Sequence, residues 1–372
     1  MINLSISEII EIFFKKIYRI IIKYIFFFIY GKVYFSERLN NNFFFKKNVR
    51  LNKISYSLFK IHNGRVYTDQ VYNVAYIKNN HLIKGPSIQL NQSKFANISD
   101  NIVLKKGTTR FAKKITGGIL SILTGAGGNS NYWHWLFDVL PRIFLYEKFY
   151  PLKKLEKILV PSLQERFQIQ TLFSLGINKS SIIDANNYRH VIAEKIFATS
   201  HPTISNIEKI PLWIISFLRD RFLKKKKILK IKFDKIFIDR SDSKSNVKNF
   251  RKIINEKEII VFLIAKGFKA VKLSEYSFLE QVSLFNNANF IVGLHGAGFA
   301  YLVFCKKNTN ILEIKPKKAG NVIQNLSRDN NLRYSSISLK PLYKPIARQF
   351  GVLYLPLKRL KMFLNKNHIT IK

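Results

Sequence analysis

The sequence predicts an α/β fold, and three observations predict it. The downstream half alternates short strand-like runs with helical ones. The chain has 372 residues, too long for one ordinary small domain and comfortable for two. Its 47% hydrophobic content is enough to fill sizeable cores, which excludes a disordered chain.

The alternation runs as follows. Ile236–Asp239 is strand-like, Asn249 to Leu263 reads mostly as helix, and Ala270–Leu273 is a short strand. Ser277 to Asn287 is a helix opened by Ser277-Phe278-Leu279-Glu280, which has the capping-box form. Phe290–Gly293 is a strand, Gly298 to Cys305 a short helix and Asn310–Ile314 another strand. Such alternation implies a parallel, Rossmann-like sheet, whose ligands bind at the carboxyl ends of the strands. Upstream, Ile119–Leu123 reads as a buried strand and Thr124–Gly128 as a glycine-rich loop. A helix follows from Asn131, with Asn129 or Asn131 as its N-cap. Trp133, Leu136, Leu140 and Ile143 form its apolar stripe, and Pro141 should end or kink it. The clearest punctuation is Lys224–Lys227, so a domain boundary is placed at 225/226.

Charge is the most unusual bulk property. There are 63 basic and 22 acidic residues, a formal net charge of +41. Such a field attracts phosphates, anionic lipid or nucleic acid, although the Lys-, Ile-, Asn- and Phe-rich composition of AT-rich codons supplies charge equally well. The single cysteine, Cys305, excludes a disulfide within the chain and suits a reducing cytoplasm. The apolar stretch Ile9 to Tyr30 is interrupted by Lys15, Lys16, Arg19 and Lys23. Its longest uncharged run there, Tyr24 to Gly31, falls short of the roughly 20 residues that span a bilayer. No small-residue cleavage site follows it. Residues 1–35 are therefore expected to form a basic aromatic helix, lying on an anionic membrane surface or packing on the body of the protein.

Four constellations could carry chemistry. His134 and Asp138 are four apart, on one helical face, where the carboxylate can fix the imidazole tautomer and raise its basicity. The pair suits a general base, or is simply a hydrogen-bonded pair on a capped helix. Gly293-Leu294-His295-Gly296-Ala297-Gly298 joins a strand to a helix, where small residues let backbone N–H groups approach a phosphate. The alternative there is a tight crossover turn with a structural His. Arg240 directly follows a strand, with Lys244, Lys248 and Arg251 beyond it, a natural clamp for a diphosphate or merely a solvated basic loop. Glu313 ends the following strand, where a carboxylate can accept both ribose hydroxyls or stand exposed. The 124–128 loop matches no phosphate-binding fingerprint and reads as a turn needing positive φ. No metal constellation and no Asp-x-Asp occurs, Gly-x-Ser-x-Gly is absent, and the aromatics are not interleaved with basic residues as on a single-strand nucleic-acid platform.

Together, Asn131–Arg142 (NYWHWLFDVLPR), Asp239-Arg240 with Arg251 and Asn255-Glu256, and Gly293–Gly298 followed by Glu313 resemble glycosyltransferase family 61 in order and spacing. The resemblance covers roughly residues 110–320. It implies a GT-B-like architecture, two Rossmann-like domains facing a cleft. Those would be residues 36–225 on the acceptor side and 226–345 on the nucleotide-sugar side, with 346–372 as a tail packing back on the first. It further implies an inverting, metal-independent transfer without cofactor from a nucleotide sugar, often a UDP-sugar, to a glycan hydroxyl, as in capsular polysaccharide biosynthesis. His134 or Asp138 would be the catalytic base. Arg240, Arg251, Gly293, His295, Gly296, Ala297 and Gly298 would meet the donor, and Glu313 would hold the nucleoside. The unusually basic N-terminal helix departs from the family, so a peripheral seat at the inner face of the membrane is expected from that helix and not from the resemblance; the lone cysteine suits the cytoplasm, and no nucleic-acid partner is expected. The rivals are a nucleic-acid-binding protein and a non-catalytic membrane-associated protein on the same fold. The first hundred residues carry no matching motif.

Overall fold

Two asparagine-led turns organise the start of the chain. Asn52 with Lys53, and Asn79 with Asn80, all adopt positive φ, as two-residue hairpin turns of the primed types require. The first joins Leu51 to its cross-strand partner Ile54, the second Lys78 to His81. The structure, a computed structural model, describes residues 5–69, 72–91, 94–125, 128–203, 209–224, 231, 233–241 and 251–366. It divides into two units, Met1–Gln168 with Gly176–Pro202, and Ile169–Leu175 with Thr203–Lys372.

The first unit opens with helix α1 (Ile6–Tyr30). Strands β1 (Phe45–Leu51), β2 (Ile54–Thr68), β3 (Asn73–Lys78), β4 (His81–Leu82), β5 (Ile88–Asn91) and β6 (Lys94–Phe95) form an antiparallel region. After α2 (Ile102–Lys106) come β7 (Lys113–Ser121), α3 (Tyr132–His134), α4 (Pro141–Glu147), β8 (Lys157–Val160), α5 (Arg166–Ser174), β9 (Ile182–Asp184) and β10 (His190–Thr199). The sheet order is β6-β5-β3-β2-β10-β7-β8-β9. β10 is the seam, antiparallel to β2 and parallel to β7, and β8 and β9 continue the parallel part. The expectation of a Rossmann-like first domain is thus corrected to a mixed sheet, because the hairpins of residues 45–95 add antiparallel strands to its edge. The core includes Ile61, Tyr76, Ile119, Leu159, Val191 and Ile196.

The second unit meets the expectation of parallel strands. α6 (Leu212–Leu223) leads into β11 (Lys235–Asp239), β12 (Arg251–Ile253), α7 (Glu256–Ala265), β13 (Lys269–Lys272) and α8 (Phe278–Asn287). Then follow β14 (Phe290–Leu294), β15 (Asn310–Pro316), α9 (Val322–Asp329), β16 (Arg333–Leu339), β17 (Gly351–Leu353) and α10 (Leu357–Lys366). Five strands in the order β13-β11-β14-β15-β16 are parallel throughout. In chain order of those five this is 2-1-3-4-5, a doubly wound arrangement whose ligand crevice lies where the first and third strands meet. Here that switch point falls between β11 and β14.

The expected capping box holds. Ser277 accepts from the Glu280 amide, and the Glu280 carboxylate accepts from the Ser277 N–H. Three expectations are corrected. Residues 251–253 are a strand, not helix, because β12 pairs in parallel with β17. The change of unit comes at Thr203 rather than at 225/226. Apolar burial decides this. Phe222 on α6 packs on Phe278 and Phe304, and Arg219 donates to the carbonyls of Val303 and Cys305, both at 2.8 Å. Most of the lysine run, 225–227, lies outside the described residues. The C-terminal segment, expected as a separate tail, packs within the second unit. Leu360 and Leu364 of the amphipathic α10 lie one helical turn apart and join the core with Ile253, Leu263 and Leu353.

Candidate functional site

The local structure around His134 is unusual. Asn131 caps α3 by accepting from the Trp133 amide at 2.9 Å. Trp135–Val139 then forms one π-helical turn, closed by Leu140 N donating to Trp135 O at 3.0 Å. Pro141 lacks an N–H, so the widened turn ends there and the proline opens α4 at its first position. Single π turns inside helices are frequent at functional sites. Trp135 to Ile143 are all buried, so Leu136, Leu140 and Ile143 of the expected apolar stripe are enclosed, while Trp133 is half-buried.

The π turn aims His134 and Asp138 at each other. Nδ1 of His134 lies 2.7 Å from Asp138 Oδ2. The His134 side chain is 27% exposed against 7% for Asp138, so the carboxylate is the inner partner and the imidazole the accessible one. Burial alone would lower the His134 pKa, but the hydrogen bond and charge of Asp138 outweigh it and leave it raised. Burial pushes the Asp138 carboxyl up, yet the His134 hydrogen bond and the nearby His201, His134 and Arg142 charges hold it below its ordinary value. Two residues that sequence reasoning assigned no role complete this cluster. Arg142, fully buried, donates from Nε to the Asp138 carbonyl at 3.0 Å and from Nη1 to the Thr199 carbonyl at 3.1 Å. His201 is buried beyond β10, and burial drives it down to about 3, which keeps it neutral. Both could have been found by reading β10 as the parallel neighbour of β7, whose carboxyl end would then face the same helix.

The second cluster occupies the switch point of the second unit. Arg240 follows β11, and Arg251 begins β12. From Nη1 they donate to the same atom, the carbonyl of His295, at 2.9 and 3.1 Å. Burial first, and then the charge of Arg240, draws Arg251 down to about 10, with Glu313 opposing. Gly296 is required here for space. A Cβ on it would sit 1.7 Å from Arg240 Nη1 and 3.2 Å from Arg251 Nη1. Gly293 lies within β14, and Ala297 and Gly298 open a 3-10 helix that runs to Phe304.

Behind the loop, His295 Nδ1 meets Glu313 Oε1, and Tyr334 Oη donates to Glu313 Oε2. Lys315 Nζ stands 3.8 Å from the same oxygen. Glu313 is therefore not an exposed strand-end acid. It sits inside β15, fully buried, with both oxygens engaged by protein groups, which leaves no place for two ribose hydroxyls. Burial, and then the Glu313 charge and hydrogen bond, push the Tyr334 phenol far above its usual range. Gly125 does adopt the positive φ expected of its turn. Lys244 and Lys248 lie outside the described residues.

Comparison with known proteins bears on this geometry. Residues 132–312 match the family model described as Glycosyltransferase 61. The chain resembles glycosyltransferase family 61 over that segment. The segment starts beside the His134–Asp138 turn, spans Arg240, Arg251 and the Gly293–Gly298 loop, and stops one residue before Glu313. Among curated proteins, the chain is similar to the EGF domain-specific O-linked N-acetylglucosamine transferase of Xenopus laevis, 31% identical over 90 residues, 23% of this chain and 17% of that protein. It is also similar to the protein of the same description from Drosophila melanogaster, 27% identical over 99 residues, 26% of this chain and 19% of that one. The aligned stretch thus spans less than a fifth of either relative. The family 61 match and the α/β architecture together support a glycosyltransferase.

Proposed function

We propose that the chain is an inverting glycosyltransferase that moves a sugar from a nucleotide-sugar donor, a UDP-sugar foremost, to a hydroxyl of a glycan acceptor during surface or capsular polysaccharide assembly. The observation that carries this reading is the convergence of Arg240 and Arg251 on the His295 carbonyl at the β11/β14 switch point. Two cations fixed by a backbone oxygen, beside a glycine whose Cβ would displace Arg240, suit a diphosphate. Glu313 serves in this reading to orient His295, whose Nδ1 it engages, so that Nε2 addresses the donor.

The reaction is a single displacement. The acceptor oxygen bonds to the anomeric carbon while the bond from that carbon to the diphosphate oxygen breaks, inverting the configuration. The hydroxyl proton passes to His134 Nε2, and the nucleoside diphosphate departs with the electron pair. Arg240, Arg251 and His295 stabilise that charge as it develops. Asp138 holds the imidazole by its Nδ1 and supports the imidazolium that forms. His134 is thus the base, because Asp138 is the buried partner. Cationic side chains take the part that a divalent ion plays elsewhere, so transfer should proceed unchanged in a chelator. A rate restored only by added magnesium or manganese would remove metal independence from the proposal. Cys305, buried and single, suits a reducing cytoplasm.

A thermal-shift screen against UDP, GDP, CDP and their sugars tests the reading, with UDP-N-acetylglucosamine first because of what the relatives are named for. One nucleotide at a hundred times its Kd should stabilise the native state by about 2.7 kcal/mol. His295→Ala should abolish that shift. Silence from every nucleotide, with salt-sensitive binding to DNA or RNA instead, would replace this proposal with the nucleic-acid reading.

A further inference from the structure

The amphipathic helix α1 is not used by the chemistry above. At about 100° per residue, Glu8, Glu11, Lys15, Lys16, Arg19 and Lys23 fall on one face, and Phe13, Ile17, Ile21, Tyr24, Ile25 and Phe28 on the opposite one. All six of those apolar side chains are exposed, from 38% at Ile17 to 93% at Phe28. An apolar face of that extent is not left in water by a soluble surface helix.

The direction of that face is fixed by how α1 is anchored. Phe26, Phe27 and Tyr30 continue the charged face into the last turn, and they are the residues that meet the first unit. Phe26 is buried and packs edge-on to Phe111, with ring centroids 5.0 Å apart. Tyr30 Oη accepts from the Ala112 amide at 2.8 Å, and its ring abuts His190 at 4.7 Å. The Phe27 ring fills the space over Gly107, where a Cβ would come within 2.4 Å of it. A helix is rigid over a few turns, so this clamp turns the apolar face away from the unit that carries it. Folding that face onto the body would break the clamp.

We propose that α1 seats the protein on an anionic lipid surface, lying in the interface with Phe13, Ile17, Ile21, Tyr24, Ile25 and Phe28 immersed. Among the described residues no helix is long and apolar enough to cross a membrane, so the seat lies in the surface plane. Charge decides for lipid over an apolar protein groove. Glu8 is taken up by the Ser5 capping box and Glu11 by Lys15, leaving Lys16, Arg19 and Lys23 to meet headgroups. The chain's +41 adds to their attraction. The inference stands apart from the transfer reading, since it concerns partitioning and not turnover.

Flotation of the full chain with phosphatidylcholine vesicles, and with vesicles about one-third phosphatidylglycerol, tests it. The anionic vesicles should carry the protein up and the neutral ones far less. Ile21→Asp with Phe28→Asp should abolish flotation, and Lys16, Arg19 and Lys23 changed together to Glu should cut partitioning at least a hundredfold. Both variants alter exposed or half-buried positions, so unchanged thermal unfolding checks that loss of binding is not loss of fold. Light scattering covers the remaining occupant. A wild-type dimer made monomeric by the Ile21→Asp, Phe28→Asp variant would overturn the proposal in favour of a second copy, and flotation indifferent to both variants would overturn it outright.

Discussion

Among the described residues two histidine–carboxylate pairs occur, and they are built oppositely. His134 and Asp138 are neighbours on one turn of helix, and the imidazole keeps an accessible edge. His295 directly follows β14 and Glu313 lies in the adjacent β15, both buried, with the histidine's own backbone carbonyl gripped by two arginines. The first arrangement is local and open at one end, as a proton-exchanging group must be. The second is enclosed and charge-dense, as suits a fixed electrostatic wall. The same chemical pair serves two purposes because burial and the number of surrounding cations differ.

The comparison breaks most severely at Asp138. Replacing it by Asn keeps the shape but removes the charge that supports His134, so kcat should fall by about 10²- to 10⁴-fold. Nucleotide affinity should not move, since the donor cluster belongs to the other unit. The pH profile gives the sharper check. His134 has a raised pKa, and a base works only when neutral, so the wild-type rate is lost as pH falls through a value above 6.5. Without Asp138 the burial effect is unopposed, and that acidic limb should shift below 6.5. A limb that stays put would detach His134 from the chemistry.

Arg142 sharpens the same side. It ties the Asp138 carbonyl to the end of β10 without touching a carboxylate. Arg142→Ala leaves the buried Asp138 and Thr199 carbonyls without their donor, and should destabilise the first unit by about 1–3 kcal/mol for each in urea titration. A loss under about 1 kcal/mol would show that the π turn holds itself. No equivalent cost is expected at Arg240 or Arg251, which are half-buried.

The legibility of these sites followed the same division. The second unit was readable because strands and helices alternate and each announces itself locally, as Ser277 and Glu280 do by capping α8. The carboxyl ends of those strands were the expected ligand side, and Arg240 and His295 each directly follow such an end. What Glu313 does was not readable. Its neighbours Tyr334 and His295 are 21 and 18 residues away, and only strand register brings them onto it. The first unit was less legible still. Its antiparallel edge depends on pairings such as β2 with β10, more than a hundred residues apart in sequence. The turns at Asn52-Lys53 and Asn79-Asn80 do carry a local hairpin signal, asparagine at positive φ.

Glu313→Gln tests the enclosed pair itself. The amide keeps the volume but removes the negative charge under His295, so nucleotide affinity should fall roughly tenfold, one lost charge-assisted hydrogen bond. The acidic limb assigned to His134 should not change. A shifted limb with unchanged affinity would exchange the roles of the two pairs.

The smallest expected effect lies at Gly296, and it separates fold from site most cleanly. Its backbone is extended, at φ 167°, so an alanine there carries no conformational strain. Its methyl would nevertheless meet Arg240 Nη1 at 1.7 Å. The guanidinium is the far end of a flexible side chain and can swing aside, so thermal stability should stay within about 0.5 kcal/mol of wild type. Arg240 would then no longer share the His295 carbonyl with Arg251, and nucleotide affinity should drop by about three- to tenfold in calorimetric titration. If Gly296→Ala bound nucleotide as well as the wild type, the shared carbonyl would be a packing detail of the loop, and the enclosed histidine pair would lose its claim on the donor.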